Sequence, residues 1–317
     1  MADPDAQPQK SGIAAPDEAP TRCGFVALIG APNSGKSTLT NALVGTKVSI
    51  VTHKAQTTRG PVRGIALIGN AQVILVDTPG IFQPKRRLDR AMAQAAWDRA
   101  GDADIVALVI DAQRGIDAML GPLLKHLPEV RRPAIAVLNK IDLVAKPELL
   151  HLAADMSTLG QFDRVFMISA LTGDGLADLR AYFAEAVPPG PWLFPADQLT
   201  DASLRQTAAE ITREKLFLRL HEELPYTLTV ETADWKELKD GSIRIEQTIY
   251  VERESQRKIV LGAKGQTIKE IGSAARAEIG EMAGAPVHLF LFVKVREHWS
   301  EDPERYREMG LDYPKER

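Results

Sequence analysis

The residues best suited to chemistry lie in a glycine-bounded octet, 30–37, with the sequence GAPNSGKS. It matches G-x-x-x-x-G-K-[ST], in which glycines let backbone N–H groups converge on phosphate oxygens ahead of a helix N-terminus. Lys36 can then reach the β- and γ-phosphates, and the Ser37 hydroxyl can bind Mg²⁺. A plain glycine turn is the alternative. The predicted phosphate contacts are Gly30, Ala31, Pro32, Asn33, Ser34, Gly35, Lys36, Ser37 and Thr38.

A second motif, DTPG at 77–80, follows the apolar run VILV. An aspartate at the end of a strand can interact with the ligands of Mg²⁺ without binding the metal directly. The Gly80 N–H can hold a γ-phosphate oxygen. The pattern D-x-x-G by itself is also common in turns. Its position after the octet is therefore the observation that favours a nucleotide site. The predicted contacts are Asp77, Thr78, Pro79, Gly80 and Ile81.

A third motif, NKID at 139–142, predicts the base. The Asp142 carboxylate can accept both N–H donors of guanine, and adenine would leave it unpaired at a cost of about 2 kcal/mol or more. Asn139 can bond the purine edge or the phosphate loop, the Lys140 stem can cover the base, and the Ala170 N–H can meet guanine O6. GTP is therefore expected over ATP. The predicted base contacts are Asn139, Lys140, Asp142, Ser169, Ala170 and Leu171.

The polar stretch AQTTR, 55–59, lies between the octet and DTPG and predicts a switch segment. One threonine there should bind Mg²⁺ and sense the γ-phosphate. We expect this to be Thr58 rather than Thr57, although both could simply support a polar loop. The predicted metal site is Ser37 and Thr58, with Asp77 outside the ligand sphere.

The group that would activate water is less evident. Ile81 stands where Ras-like GTPases place a water-orienting glutamine, so we expect slow intrinsic hydrolysis or an added activator. Asn33 could help to hold K⁺ near the phosphates, or simply make a loop hydrogen bond. Arg59 and Arg63 could supply charge, but we expect both on the solvated surface. The predicted catalytic set is Lys36, Thr58, Gly80 and Asn33.

These motifs need a sheet that brings strand ends together. Apolar, strand-like runs occur at 23–30, 72–77, 103–111, 132–139 and 164–169. Helix-like stretches alternate with them at 36–44, 87–100, 119–127, 147–159 and 176–186. The alternation predicts an α/β fold with a mostly parallel sheet and helices on both faces. The proline-rich VPPGPWLFP, 187–195, then predicts a linker.

After the linker the pattern changes to a small α+β domain. Strands are predicted at 227–232, 242–252 and 287–295, and helices at 203–224 and 266–282. Asp240-Gly241 is a hairpin signal. The alternation of residues in the second strand predicts that five side chains share one face: Ile243, Ile245, Gln247, Ile249 and Val251. The charged end, 301–317, predicts a short helix with a frayed tail.

The loop Gly262-Ala-Lys-Gly265, which we expect between a strand and a helix, is typical of a KH domain that binds unpaired bases. Six basic residues and two acids lie within 253–276, which predicts a basic patch. Arg213 and Lys215 could join it, and an ordinary charged helix face is the alternative. The predicted RNA contacts are Arg257, Lys258, Ile259, Gly262, Ala263, Lys264, Gly265, Ile268 and Lys269.

Composition further limits the class of protein to which this chain can belong. The chain has 317 residues, 44% hydrophobic and 26% charged, which is typical of globular proteins and excludes a wholly disordered chain. The single cysteine, Cys23, excludes a disulfide framework. The first 20 residues are rich in proline and acids, so they predict a disordered tail rather than a targeting signal. The net charge of −3 by itself does not indicate nucleic-acid binding.

In order and spacing, the octet, DTPG, NKID and the tripeptide SAL at 169–171 resemble the motifs of translation-factor-like GTPases. With the GxxG domain added, the chain resembles the Era family of bacterial GTPases, across nearly everything except the N-terminal tail. The resemblance implies a P-loop GTPase domain and a type II KH domain, GTP or GDP with Mg²⁺, and K⁺ as a further candidate. It also implies binding near the 3′ end of small-subunit ribosomal RNA and a role in small-subunit assembly.

The same resemblance implies a cytoplasmic protein that contacts the inner membrane peripherally, and a monomer is the default. We expect a disordered tail at 1–21, a G domain at 22–187, a linker at 188–200, a KH type-2 domain at 201–300 and a C-terminal helix and tail at 301–317. GTP should order the segment around Thr58 and change how the KH domain is held. Two alternatives are an ATP-dependent small-molecule kinase and an RNA-binding scaffold with a vestigial nucleotide site.

Overall fold

A computed structural model describes residues 20–54, 57–84, 86–159, 161–221 and 224–314. Most of the predicted N-terminal tail therefore lies outside the described residues, as do Ala55 and Gln56 of the switch segment and the last three residues. Within the described ranges, no helix is both long and apolar enough to cross a membrane.

The first sheet has six strands in the order β2-β3-β1-β4-β5-β6. Their bounds are β1 (Arg22–Ile29), β2 (Val62–Ile68), β3 (Ala71–Asp77), β4 (Ile105–Asp111), β5 (Ala134–Asn139) and β6 (Arg164–Met167). Neighbours pair in parallel except β2, which is antiparallel to β3. The five predicted strands are present. β2 is not among them, because Arg63 and Gly64 interrupt its apolar pattern.

Five helices cover this sheet. They are α1 (Lys36–Val44), α2 (Arg87–Asp102), α3 (Leu120–Val130), α4 (Lys146–Thr158) and α5 (Leu176–Ala186). One buried apolar cluster joins the sheet to α2, α3 and α4, and a second joins it to α1 and α5. The predicted α/β fold with helices on both faces is therefore confirmed. Parallel strands present their carboxyl ends at one edge, where open α/β sheets bind ligands.

The second domain has the chain order α6-β7-β8-α7-α8-β9. Its bounds are α6 (Leu204–Arg219), β7 (Leu228–Glu237), β8 (Ile243–Val251), α7 (Glu254–Leu261), α8 (Gln266–Ala283) and β9 (Val287–Val295). β8 pairs antiparallel with β7 and parallel with β9, and its predicted inward face is buried. The expected strand before the GxxG loop is wrong. Helix α7 precedes it, because a short apolar run such as IVL fits either element.

The predicted linker is held along the first domain. The buried Gln72 side chain accepts N–H groups of Leu193 and Phe194 at 2.9 and 3.0 Å. The Ile65 N–H donates to the Leu199 carbonyl at 2.9 Å. The segment therefore lies against β2 and β3 rather than serving as a free tether.

The C-terminal segment also packs on the first domain. It contains a short helix, α9 (Pro303–Glu308), as predicted. Trp299, Tyr306 and Leu311 are buried in one cluster with Leu88 and Met92 of α2. The expected fraying is thus wrong for the described residues of this segment, because their aromatic and leucine side chains complete a core on α2.

Candidate functional site

The octet forms the loop between β1 and α1. Gly30 and Gly35 have φ of 151° and 94°, which side-chain-bearing residues rarely adopt. A Cβ at Gly35 would lie 2.2 Å from Asn139 Nδ2, so glycine also lets β5 approach the loop. Lys36 Nζ donates to the carbonyls of Gly30 and Ala31 at 3.2 and 3.0 Å. Burial lowers the pKa of Lys36 to about 8, which the charge of Asp77 partly offsets.

Three oxygens converge beside this loop. Ser37 Oγ donates to Asp77 Oδ2 at 2.7 Å. Thr58 Oγ1 lies 3.0 Å from Ser37 Oγ and 3.3 Å from Asp77 Oδ2. Asp77 is fully buried, and among the described residues its Oδ1 has no hydrogen-bond partner. Burial raises the pKa of Asp77, while hydrogen bonds from Ser37 and the charge of Lys36 oppose the rise. Oxygen donors around a buried carboxylate suit Mg²⁺, so the residues fit the predicted metal.

The two switch threonines have different surroundings. The hydroxyl of Thr57 contacts Thr52 Oγ1 at 2.9 Å and donates to the Lys54 carbonyl at 3.0 Å. Thr58, in contrast, faces Ser37 and Asp77. These contacts favour Thr58 as the metal-binding threonine.

The base-recognition residues lie at the ends of β5 and β6. Asn139 Nδ2 donates to the Ser34 carbonyl at 2.8 Å, and its Oδ1 accepts the Ala170 N–H at 2.9 Å. The sequence left two partners open for Asn139, and the structure shows it in contact with the phosphate loop. Its side chain also accepts the Ala170 N–H, the group expected to meet guanine O6. Lys140 Nζ bonds Asp111 Oδ2 at 2.6 Å. Asp142 is exposed, so a bound base would have to supply the burial on which its selectivity depends.

A cleft of about 430 Å³ is lined by residues of the phosphate loop, by Thr57 and Thr58, and by Lys140. Asp111, Gln113 and Arg114 line it but were not predicted. The aspartate at the end of β4 was the available signal, since it occupies the same sheet edge as the other motifs. The Gly80 backbone lies against Pro32, where a Cβ would come within 2.8 Å.

Several predicted contacts also serve the fold. The Ile81 side chain is buried in the α2–α4 core cluster, and its N–H donates to the Gly30 carbonyl at 3.0 Å. It cannot orient water, as expected. Thr78 Oγ1 donates to the Leu28 carbonyl at 2.7 Å, and Leu171 is exposed. Asn33 Nδ2 donates to the His53 carbonyl at 3.1 Å, which places the loop amide beside the switch segment.

Arg59 is buried between the domains. Its guanidinium donates to the carbonyls of Leu228, Pro225 and Tyr226 at 2.6, 3.2 and 3.2 Å. It also lies 5.5 Å from the centre of the Trp299 ring. Only 6% of the residue is exposed, so the expected solvated role is wrong. Burial lowers the pKa of Arg59, and the charge of Arg213 adds to the effect.

Helix α6 makes further contacts with the segment before Thr58. Arg213 is buried and donates to the Thr57 carbonyl. Glu214 accepts the Val51 N–H at 2.9 Å and pairs with Lys47 at 2.6 Å. Sequence patterns could not reveal this interface, since its partners are separated by more than 150 residues.

The contacts of Arg213 and Lys215 do not favour the extension of the basic patch to α6 that the sequence left open. Arg213 is buried against the switch segment, and Lys215 pairs with Glu214 at 2.9 Å and with Glu278. Both cations therefore have partners at the domain interface. Arg63, by comparison, forms an exposed pair with Asp201 at 2.6 Å, which agrees with its expected surface role.

The GxxG loop turns between α7 and α8. Gly262 and Gly265 have φ of 73° and 75°. A Cβ added to Gly262 would collide with Thr267, whereas a Cβ added to Gly265 would meet open space. Ile259 is 56% exposed, whereas Ile268 packs against a core cluster. The other exposed residues predicted to contact RNA are Ala263 and three lysines, Lys258, Lys264 and Lys269.

Arg257 is the remaining predicted contact. It donates to the Val293 carbonyl at 3.2 Å and pairs with Glu254 at 2.9 Å. Its guanidinium thus ties α7 to β9. The predicted RNA contacts that are exposed lie on α7, on the loop and on the first turn of α8: Lys258, Ile259, Ala263, Lys264 and Lys269.

Comparisons with known proteins agree with this arrangement. The model of a family described as 50S ribosome-binding GTPase matches residues 25–140, and a KH domain model matches residues 223–300. GTPase Era of Brucella suis is 66% identical over 294 residues, 93% of this chain and 94% of that protein. GTPase Era of Rhizobium meliloti is 62% identical over 296 residues, 93% of this chain and 95% of that protein.

Solved structures extend the similarity to three dimensions. A crystal structure of Era in complex with MgGDPNP and nucleotides 1506–1542 of 16S ribosomal RNA has a TM-score of 0.87 and 38% identity. The similarity covers 92% of this chain and 99% of that one. A point variant of Aquifex aeolicus Era bound to GDP·AlF4⁻ has the same TM-score, identity and coverage. The chain therefore belongs to the Era family of GTPases.

Proposed function

We propose that this GTPase is a nucleotide-driven switch that binds small-subunit ribosomal RNA near its 3′ end and assists assembly of the small ribosomal subunit. One observation carries the switch: neighbouring residues face different domains. Thr58 contacts Ser37 and Asp77, whereas Arg59 is buried among carbonyls of the KH domain. A change at the γ-phosphate would therefore be transmitted through one peptide unit.

The nucleotide would occupy the cleft at the carboxyl ends of β1, β3 and β5. Backbone N–H groups of 30–38 and the charge of Lys36 would bind the phosphates, as P-loops do. Ser37 and Thr58 would hold Mg²⁺, with Asp77 beside them, and the metal would neutralise charge on the β- and γ-phosphates. Asp142 would select guanine. Each of these residue roles is a proposal, and the contacts above support those of Lys36, Ser37, Thr58 and Asp77.

Hydrolysis would be slow without an activator, since Ile81 has no group to orient water. Asn33 Nδ2 donates to the His53 carbonyl at 3.1 Å at the phosphate loop, and the Asn33 amide oxygen would be the group offered to K⁺. We expect faster GTP turnover in K⁺ than in Na⁺, and loss of that difference in Asn33→Ala. Equal rates in both salts for the unchanged protein would eliminate this site.

The switch would act by releasing or retaining the segment before β2. Arg213 binds the Thr57 carbonyl, and Lys54 donates to carbonyls of Phe217 and Leu220 at the end of α6. With GTP bound, Thr58 would be fixed at the metal and the segment would stay ordered. Loss of the γ-phosphate would weaken that attachment and alter how α6 is held.

RNA would bind at the GxxG loop, where glycines permit close approach of a nucleic-acid backbone and exposed lysines supply charge. The related Era structure contains nucleotides 1506–1542 of 16S ribosomal RNA, which supports this surface. Gly265→Asp adds a negative charge in open space. We expect it to weaken RNA binding while GTP binding persists. Gly265→Asn is the matched control, because asparagine must adopt the same positive φ at this position but carries no charge.

The deciding experiment measures affinity for that 16S fragment with GDP and with a non-hydrolysable GTP analogue. A ligand shifts a conformational equilibrium only by its differential affinity, so equal RNA affinities would exclude the switch. GTP turnover that disappears in Lys36→Ala would exclude a vestigial site. ATP binding tighter than GTP binding would instead favour a small-molecule kinase.

Finer expectations stay proposals with their own tests. Domain limits of 22–187 and 201–300, with the linker at 188–200, can be checked by limited proteolysis. A monomer can be checked by analytical ultracentrifugation, and peripheral contact with the inner membrane by flotation with anionic lipid vesicles. Crosslinking to assembling ribosomes would test association with the small subunit.

A further inference from the structure

The face of the KH sheet that points away from α6 and α8, here called the outer face, carries exposed aromatic rings. Along β9, Leu289, Leu291 and Val293 pack against the core clusters, so the alternate residues point outward. Phe290 and Phe292 on that side are 44% and 47% exposed. Two exposed aromatic rings therefore lie next to each other on one face of this strand.

Cations accompany these rings. The Arg244 guanidinium on β8 lies 5.1 Å from the centre of the Phe290 ring, and Lys294 follows Phe292 on the same outward side. Arg244 also pairs with Glu246, so part of the charge on this face is balanced. An occupant would therefore gain more from the rings than from net charge.

The spacing of the rings suits separate bases. Residues two apart on a strand are roughly 6.6–6.8 Å apart, about twice the rise of 3.4 Å between stacked bases. Aromatic side chains on a sheet surface stack two or three bases in another RNA-binding module, the RRM. Stacking accepts any base, because every base has a π-face.

The outer face is continuous with the GxxG surface. Arg257 of α7 donates to the Val293 carbonyl at 3.2 Å, so the basic helix contacts β9 between its two outward positions Phe292 and Lys294. β9 is an edge strand among the described strands, paired with β8 alone. An RNA strand that leaves the GxxG loop and crosses this edge would reach the two phenylalanines.

We propose that Phe290 and Phe292 form a second RNA contact, which stacks on unpaired bases adjacent to those held at the GxxG loop. The inference rests on the proposed RNA binding by the KH domain. A protein partner or a second copy of this chain would also cover apolar rings, and the experiment separates those occupants from RNA.

The test uses the full chain and labelled pools of random single-stranded RNA, four or twelve nucleotides long. The double variant Phe290→Leu/Phe292→Leu keeps apolar side chains but removes the aromatic faces. We expect its affinity for the short pool to stay within about twofold of the unchanged protein. Its affinity for the long pool should fall roughly 5- to 150-fold for each stacked base lost.

Two further measurements distinguish stacking from charge and from folding defects. The salt dependence of long-pool binding should be unchanged in the double variant, because neither phenylalanine neutralises a phosphate. Phe290→Trp/Phe292→Trp should retain long-pool affinity. Lys294→Ala, by contrast, should lower the salt slope.

Several results would overturn the inference. Long-pool affinity that stays within twofold would show that the rings do not contact RNA, and an equal fall for both pools would place the defect in the GxxG groove. A dimer of the unchanged chain that dissociates in the double variant would identify a second copy as the occupant. If the unchanged protein bound the 16S fragment but neither pool, sequence-independent stacking on the rings would be excluded. If it bound neither the pools nor the fragment, the proposed RNA function itself would fail.

Discussion

Arg59→Met tests whether the switch segment is coupled to the KH domain through one buried side chain. The substitution removes a guanidinium that donates to the carbonyls of Leu228, Pro225 and Tyr226. Methionine keeps much of the length and apolar surface. The neighbouring Thr58 hydroxyl and its contacts with the metal-site residues are left in place.

The expected magnitude follows from the contacts. Three hydrogen bonds from a charged donor, at roughly 1.5–3 kcal/mol each, exceed the cost of several kcal/mol for burying the guanidinium. The carbonyls left behind would lose their donor in a buried interface. We therefore expect a net loss of about 2–4 kcal/mol in unfolding free energy, or a melting temperature lower by roughly 5–15 °C.

The functional readout is the ratio of RNA affinities measured with a GTP analogue and with GDP. Coupling of this kind typically corresponds to a 5- to 150-fold ratio. In Arg59→Met the ratio should approach one, while GTP-analogue affinity stays within about threefold. Arg63→Met is the matched control, because its exposed pair with Asp201 should contribute about 0–1 kcal/mol and leave the ratio unchanged.

Two outcomes would refute the reasoning. If Arg59→Met lowered stability but kept the full affinity ratio, Arg59 would stabilise the interface without transmitting the nucleotide state. If neither stability nor the ratio changed, the three carbonyl contacts would carry no net free energy.

Three other substitutions address the nucleotide site and the domain interface. Thr58→Ala should weaken Mg²⁺-dependent binding of a GTP analogue about tenfold or more, as loss of metal-site partners does. Thr57→Ala is the control, and its affinity in the same titration should stay near that of the unchanged protein. If Thr57→Ala were the more damaging change, the metal contact would be assigned to Thr57. Asp142→Asn should exchange guanine for xanthine preference in a nucleotide competition assay, and retained GTP selectivity would show that the guanine assignment is wrong. Gly60→Ala should lower the melting temperature and expose the C-terminal segment to protease, because its Cβ would lie 1.9 Å from a backbone carbonyl there. Gly190→Ala, with open space around it, should do neither.

Most of the proposed nucleotide site could be read from the sequence because its groups occupy short stretches with fixed local geometry. The octet requires glycines at positive φ, and Asp77 and Asn139 each end a buried strand. Parallel strands then bring those ends to one edge without further information. The choice of Thr58 over Thr57 also agrees with the contacts, although two adjacent threonines carry no local signal that separates them.

The KH domain was predictable in part. The alternating face of β8 follows from the period of a strand, and the glycine loop follows from its spacing. Helix α7 was not predictable, since three apolar residues before Gly262 fit a strand as well as a helix.

The sequence by itself determined the local chemistry that this protein offers: a phosphate-loop motif, the Ser37 and Thr58 hydroxyls proposed to bind Mg²⁺, the Asp142 carboxylate proposed to read guanine, and a GxxG loop. Only the tertiary structure decided how these parts are joined. Arg59 resembles any surface arginine in the chain, and its burial depends on carbonyls about 170 residues away. Hydrophobic period and turn residues encode local structure, whereas docking of one domain on another depends on complementary surfaces that form after both have folded.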